Sequence, residues 1–493
     1  MLTVHHGGIP PSEEHTLPNT LPAFPFGYMF PDLQHDEYLL PKADATVSDL
    51  LYIGTEAMSD PATKIKDIPV PAIHTFLAQF IDHDITLMDD RDVKMSLTDP
   101  TPLSPQEIKK IVNARSPDLD LDNVYGPNFD SQFNPPPADS NGKMIIEKVK
   151  HDQGIPTGVN FDGLHDFPRV DNKIPLIGDS RNAENLILAQ LHVAFLRAHN
   201  FIVEEEHVGF EAAKKLLIQH YQYIVLNNFL EQICAPGTVK RIIDEGSKFF
   251  PRPGEDFYMP LEFSVAAYRF GHSKVRPSYP HFNSIHKDGL FNFLFAFTYR
   301  RLLDDWVISW PSFLETNNED RLPRRIDTTL SAPLLDLHED QLNGHNITVG
   351  NLAVRNLLRG YMLRMPTGQA VAERMAQDIQ GIKPMTPEEI QSVAEQIPIS
   401  DTETQADFLK KTTTNFFTKT PLWFYILAEA ALGGGVRLGP VGSTIVAEVL
   451  IGVLRKSTHS ILAEPDWKPT LKRKTPDKFD IEDLLNLAGV IKN

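Results

Sequence analysis

Residues 74–90 read HTFLAQFIDHDITLMDD. Phe76, Leu77, Phe80, Ile81, Ile85 and Leu87 recur at helical spacing, which predicts a buried or half-buried helix. Asp82, His83 and Asp84 lie inside that apolar run, with Gln79 one turn earlier. Adjacent ionisable groups are costly to bury unless something compensates them. A cofactor or a metal ion is one compensation. A histidine satisfied by its two neighbouring carboxylates on a helix surface is the other.

The remaining pattern is also helical. Apolar residues repeat at three and four over 182–206 (Leu186, Leu188, Leu191, Val193, Phe195, Leu196) and over 211–234. Further helical patterns cover about 257–270, 349–363, 386–396, 405–416 and 443–455, and strand signals are weak and short. Prolines mark the connections, and 127–158 is polar and proline-rich enough to predict a long surface excursion. GGGVRLG (433–439) follows no strand and lacks a lysine at phosphate-loop spacing, so it reads as a close-packed turn between helices. Asn346-Ile347-Thr348 is a formal glycosylation sequon to which no role is assigned.

Composition excludes several classes. The net charge of −18 repels nucleic acid and anionic lipid. The single cysteine, Cys234, rules out a scaffold built on intrachain disulfides. No run reads as the ~18 apolar residues that span a membrane, and the apolar stretches 422–436 and 444–454, interrupted by Glu429 and Glu448, read as core helices. The start, MLTVHHGGIPPSEEH, has no signal-peptide pattern, so the expected location is the cytoplasm, or outside it by a route without a classical signal peptide.

Two other clusters carry chemistry. In IGDSRNAENLILAQLHVAFLRAHN (177–200), Asp179 or Ser180 is a candidate helix cap, and Arg181 and Glu184 share a helical face. An ordinary helix-start ion pair has the same spacing. In LEFSVAAYRFGHSKVRPSY (261–279), His272 follows an apolar run and a glycine. With no second His or Cys at zinc spacing, it is either structural or a single axial ligand of the kind that holds haem iron.

Together these clusters resemble the animal-type haem peroxidases of the peroxidase–cyclooxygenase superfamily, particularly its bacterial members. The resemblance runs through QFIDHD (79–84), SPDLDLDNVYG (116–126), GDSRNAEN (178–185), AAYRFGHS (266–273), NLLRGYMLRMPTGQ (356–369), TPLWFYILAEA (420–430) and RLGPVGSTIVAEVLIGVL (437–454), in the family's order. It implies a mainly α fold: one large helical domain over 1–493, with long loops, little β structure, an N-terminal extension over 1–45 and the excursion at 127–158.

The resemblance also implies roles. His272 is the proximal ligand of haem b iron, and Asn356 holds its other ring nitrogen. His83 is the distal base, Arg181 stabilises negative charge as the peroxide bond breaks through to a ferryl intermediate, and Gln79 binds ligand or water. Asp82 and Glu184 match carboxylates that form ester bonds to haem methyl groups. Asn185 stands where one relative has a sulfonium-forming methionine, which puts strong chloride oxidation in doubt. Arg269 and Arg359 match arginines near the haem propionates.

Asp84, with Ser116, Asp118, Asp120 and Asp122, matches the family's calcium site. The alternation of oxygen-bearing and apolar residues over 116–122 suits a hard cation, and Asn123 in place of glycine excludes an EF-hand. Asp118 corresponds to a backbone-carbonyl ligand. Asp122 stands where the family has serine or similar, which makes this site more acidic.

The implied activity is reduction of hydrogen peroxide with oxidation of phenols, aromatic amines, iodide, bromide or thiocyanate. A fatty-acid dioxygenase or cyclooxygenase is the alternative. Those relatives carry a tyrosine three residues before the proximal histidine, where this chain has Arg269 and, one residue earlier, Tyr268. A non-catalytic adhesion or binding protein on the same scaffold would have lost His83, Arg181 or His272, and all three are present. The implied partners are peroxide and a small donor, with no nucleic acid and no membrane span. The sequence leaves the oligomeric state open.

Overall fold

The computed structural model describes residues 23–60, 67–90, 93, 95–126, 138–149, 165–170, 174–252, 254–280, 282–286, 301–337 and 350–491. The elements that position the site are, in chain order, β1 (Phe24–Gly27), α1 (Asp44–Tyr52), α2 (Ile73–Ile85), β2 (Met88–Asp89), β3 (Val112–Asn113), α3 (Leu186–Glu205), α4 (Phe210–Ile224), β4 (Met259–Pro260), α5 (Leu352–Met362), α6 (Leu422–Leu432) and α7 (Pro440–Lys456). As expected, the fold is mainly helical and its strands are short.

Helix α2 is more enclosed than an amphipathic pattern requires: every residue in it except Gln79 is buried. It ends where Thr86 turns extended, and the Thr86 hydroxyl donates to the Asp82 carbonyl at 3.0 Å and to its carboxylate at 2.8 Å. Phe80 stacks on Phe195 of α3 at 4.4 Å and meets Tyr221 of α4 edge-on at 6.2 Å. Those rings bind three helices into one core.

Helix α3 starts in two steps. Asp179 caps a short 3-10 turn, Ser180–Ala183, by accepting from the Arg181 N–H at 2.9 Å. Asn185 then caps the long helix by accepting from the Leu188 N–H at 2.9 Å. Of the two expected caps, Asp179 is therefore used, one turn upstream of the helix. Gly178 lies against main chain: a Cβ there would sit 2.6 Å from the Gly126 nitrogen and 2.7 Å from the Asp122 carbonyl. Only glycine lets the 177–179 turn approach the 122–126 segment so closely. Helix α3 is also long and apolar enough to cross a membrane, which the sequence reading did not expect, but 83% of its apolar window is buried inside the molecule.

Strands β2, β3 and β1 pair antiparallel, and β1 pairs parallel with β4. After β4 the chain forms a wide π turn, Glu262–Ala266, and then a 3-10 stretch, Ala267–Lys274, instead of the regular helix expected over 257–270. The break falls at Ala266, whose φ of −124° and ψ of −72° are not helical. Such local widening is common at functional sites. The Glu262 carboxylate accepts from the Met29 N–H at 2.8 Å and the Phe30 N–H at 3.1 Å. The described part of the expected N-terminal extension is thus built into the core, where Phe26, Met29 and Phe30 are buried.

The described part of the expected excursion, 138–149, is anchored rather than loose. Met144 is buried and exchanges main-chain hydrogen bonds with the Asn200 amide on α3. Residues 127–137 and 150–158, like the sequon at 346–348, lie outside the described residues. The helix expected over 405–416 stops at Leu409, because the Asp49 carboxylate draws the Thr413 and Thr414 N–H groups out of helical register.

Helices α6 and α7 form the late core as read from sequence. Glu429 accepts from the Val441 and Gly442 N–H groups at the start of α7. Glu448 accepts from three consecutive N–H groups, Lys248 to Phe250. Each buried carboxylate thus replaces its lost hydration with main-chain donors. The glycine-rich turn between α6 and α7 packs tightly: Gly435 has φ +73°, and a Cβ there would meet the Ile326 carbonyl at 2.7 Å.

Candidate active site

One cavity gathers residues from all three sequence clusters. Gln79 and Asp82 come from α2, and Glu184 and Asn185 from the start of α3. Tyr268, Arg269, Gly271, His272 and Val275 come from the irregular segment after β4. Leu334, Leu337 and Leu352 supply an apolar lining.

His272 Nδ1 lies 2.9 Å from the Asn356 amide, the pairing expected from sequence. The amide atom nearest the ring is Nδ2, which donates to Nδ1 as placed; with the amide turned over, Oδ1 would accept from Nδ1–H and leave the Nε2 lone pair for a metal. Burial, with Arg269 and then Arg355 nearby, holds the His272 pKa well below the usual range, so the ring is neutral. A neutral imidazole is what a metal centre requires.

His83, next to Asp82 on α2, is buried but does not itself line the cavity; its Nδ1 is 2.9 Å from Asn182 Oδ1. Burial, then the Arg181 charge, pushes its pKa down to about 4. It is therefore a neutral base across the ordinary pH range. Gln79 bridges its neighbours: Nε2 donates to Glu184 Oε2 at 3.2 Å, and Oε1 accepts from Asn185 Nδ2 at 3.2 Å.

Arg181 departs from the expected placement, because its guanidinium does not line the cavity. Nε and Nη2 donate to the Asp179 carboxylate at 2.7–3.1 Å, and Nη2 also donates to the carbonyls of His83 at 3.1 Å and Thr86 at 2.8 Å. The guanidinium caps the C-terminal end of α2, where Asp82 and Asp84 would otherwise oppose the helix dipole. Asp179 also binds Arg115 at 2.6 Å. Burial alone would raise the Asp179 pKa, but the two arginines hold it far below the usual carboxylate range.

Arg269 pairs with Asp82 at 3.6 Å, and its Nε donates to the Ser264 carbonyl at 2.8 Å. Arg359 is half-buried and contacts the Met88 sulfur at 3.5 Å. Burial, with the nearby charges of Arg355 and Arg269, lowers its pKa to about 10. Arg269, Arg355 and Arg359 share one neighbourhood with Asp82 and Asp90, and three guanidinium groups so close suit an anionic ligand group.

The acidic constellation assembles on the other side of α2. Asp84, Asp120 and Asp122 are buried, and the Asp84 carboxylate makes no well-aligned hydrogen bond, although the Tyr221 hydroxyl and the Leu121 N–H lie close enough to offset part of its burial. Burial and then Asp122 raise the Asp84 pKa well above normal, and Asp120 behaves alike. Asp122 is raised by burial despite Arg115, and its carboxylate accepts from the Ser116 hydroxyl at 2.8 Å. Asp118 is turned partly away, accepting from Thr458. Among the described residues no group of three or more His, Cys, Asp or Glu side chains is already arranged to hold a metal. The buried, mutually repelling Asp84, Asp120 and Asp122 carboxylates still fit a cation, which would neutralise them.

Sequence reasoning missed four residues. Asp179 was read only as a cap. Arg115, Asn182 and Arg355 went unremarked, although Arg355 stands one turn before Arg359 on α5 and was findable from that spacing. The others join loops distant in sequence, and no local pattern marks them.

Residues 91–308 match the family model for animal haem peroxidase. That is under half of the chain, and it leaves out α2 and α5. A peroxidase-like protein of Margaritifera margaritifera is 38% identical over 129 residues, 22% of this chain and 15% of that protein. Rat (Rattus norvegicus) thyroid peroxidase is 26% identical over 128 residues, 24% of this chain and 14% of that protein. The chain thus aligns with only a small part of these curated relatives. Peroxidase A from Dictyostelium discoideum has the same fold, with a TM-score of 0.56 at 16% identity over 90% of this chain and 88% of that one. Fatty acid alpha-dioxygenase of Oryza sativa also superposes, at TM-score 0.56 and 13% identity over 86% and 74% of the two chains.

Fold and cavity define a mainly helical protein with an enclosed slot, and its middle segment is similar to peroxidases of the animal haem type. The similarity to the animal haem peroxidases covers residues 91–308, and the rat relative it extends to is a thyroid peroxidase.

Proposed function

We propose that the chain is a haem-dependent peroxidase that reduces hydrogen peroxide and oxidises small donors: phenols, aromatic amines, iodide, bromide or thiocyanate. The observation that carries this reading is the shared cavity. His272, with Nδ1 held by Asn356, lines the same space as Gln79, Asp82 and Glu184. Bound haem would supply an iron centre that accepts peroxide and passes oxidising equivalents to the donor.

The residues divide the remaining work. His272 would hold the iron. Arg269, Arg355 and Arg359 would bind carboxylate groups of the porphyrin edge. His83, kept neutral by burial, takes a proton from peroxide and returns it to the leaving oxygen. Arg181 acts by fixing the end of α2 and by keeping a positive charge beside His83. Gln79, placed by Glu184 and Asn185, orients peroxide or water. Asp82 and Glu184 line the cavity, which supports ester attachment of haem after exposure to peroxide. Complete release of unmodified haem into acid-acetone would rule that attachment out. Calcium between Asp84 and Ser116, Asp118, Asp120 and Asp122 would anchor α2 from below, with Asp118 contributing its carbonyl.

The test is an absorption spectrum of the full chain after haem loading, followed by stoichiometric peroxide. The wild-type protein should give a histidine-ligated haem spectrum that changes on adding peroxide. His272→Ala should lose the ligated spectrum. His83→Ala should keep it and react with peroxide about 10²–10⁴-fold more slowly. Haem that binds equally well without His272 would refute the assignment.

One observation favours a second reading, a fatty-acid oxygenase. Tyr268 lines the cavity, and its buried hydroxyl lacks a hydrogen-bond partner. Oxygen uptake with linoleate or arachidonate after peroxide priming separates the two activities.

A further inference from the structure

Asn182 stands between two buried imidazoles. Its Oδ1 is 2.9 Å from His83 Nδ1, and its Nδ2 is 2.9 Å from His192 Nδ1. Asn182 and His192 are fully enclosed and His83 nearly so. One end of a side-chain amide only accepts hydrogen bonds and the other only donates them. When Nδ2 donates to His192, that ring must keep Nδ1 bare and carry its proton on Nε2. Oδ1 then faces His83 and demands a proton on His83 Nδ1. The lone pair of His83 is left on Nε2.

The far side of His192 decides the direction of the relay. His192 Nε2 is buried and has no hydrogen-bond partner. Its ring packs against Phe80 at 6.5 Å and stands perpendicular to Phe167 at 6.1 Å. An N–H among aromatic rings finds weak compensation, whereas a bare nitrogen lone pair finds none. The surroundings therefore favour the Nε2–H form of His192. Burial pushes the His192 pKa down to about 3, so the ring has a single proton to place.

We propose that Asn182 and His192 are positioning residues that lock His83 in the Nδ1–H form, with its Nε2 lone pair available to take a proton. The inference rests on the reading of His83 as the base that accepts the peroxide proton. In the opposite form Nε2 would already carry a proton and could not accept one. Neither positioning residue touches the substrate; both act through His83.

The test is nitrogen NMR of the full chain labelled at histidine, recorded without haem and in the diamagnetic ferrous carbon monoxide form. Signals are assigned by loss in His83→Gln and His192→Phe. The expected wild-type result is a protonated Nδ1 on His83 and a protonated Nε2 on His192. The reverse pair, or a mixture on His83, overturns the proposal. Asn182→Leu should release His83 to a mixture and slow the peroxide reaction by about 10–100-fold, the usual loss when a partner that orients an active imidazole is removed. Asn182→Asp, which can only accept, should keep Nδ1–H on His83 while moving the His192 proton to Nδ1. Unchanged tautomers in Asn182→Leu would also overturn it. If the Leu variant does not fold, the wild-type spectrum alone decides. Locked tautomers in a protein that does not react with peroxide would remove the peroxidase reading and leave the lock standing. A fast peroxide reaction with the wrong tautomers would do the reverse.

Discussion

At the scale of single residues, the geometry turns on which side chains can be buried with charge. Asp179 is buried between Arg115 and Arg181 and is the hub of the network that caps α2. Asp179→Asn should leave two guanidinium groups underpaired and destabilise the fold by about 3–5 kcal/mol, measured by denaturant unfolding. An effect below about 1 kcal/mol would mean that the arginines find other partners. Its residual activity should fall too, because Arg181 would no longer be held at the His83 carbonyl. The pairing of His272 with Asn356 was legible in the sequence, since both positions matched one motif set. The direction of Arg181 was not. Residue type and spacing reveal that a guanidinium is near the site, but its rotamer is chosen by Asp179 and by helix-end carbonyls that become available only after folding.

At the scale of elements, hydrogen bonds that require one protonation state tie helices to loops. His220 on α4 donates from Nδ1 to the Leu216 carbonyl, and its Nε2 accepts from the Thr470 and Leu471 N–H groups. A proton on Nε2 would face two donors. Burial pushes the His220 pKa down to about 4 from an ordinary 6.5. The unfolded chain therefore binds the proton more readily. This stabilising contribution should be complete above pH ~6.5 and should fade as the pH falls to about 4, by at most about 3 kcal/mol. Thermal melts of wild type and His220→Gln across that window check it, since the variant should flatten the curve. The acidic loop has the opposite sign. With no cation, the raised Asp84 pKa makes the folded state the better proton binder, so stability should fall as pH rises above about 4. Added calcium should reverse that trend, and identical melts with calcium and with chelator would remove the proposed site. Among helices, α2, α3 and α5 were legible because their apolar period is strong. The segment over 261–274 was not, because a π turn passes the same periodicity test until main-chain geometry is seen.

At the scale of the whole molecule, the site is assembled from segments far apart in sequence: α2, the start of α3, the turn carrying His272, and α5. The single helical domain expected from sequence agrees with that distribution. The described part of the expected N-terminal extension joins it through β1, which pairs with both β3 and β4. The matched stretch 91–308 should accordingly fail as an independent unit. Expressed alone, it lacks Gln79, His83 and Asn356, and haem titration should show no histidine-ligated spectrum. A ligated spectrum from that fragment would contradict the assembly described above.

The hold of Glu262 on Met29 and Phe30 has a practical corollary for anyone shortening this protein. Trimming the chain to residue 31 removes both amides that satisfy the carboxylate just before the His272 segment. The damage would surface some 240 positions downstream of the cut, as a loosened backbone around His272.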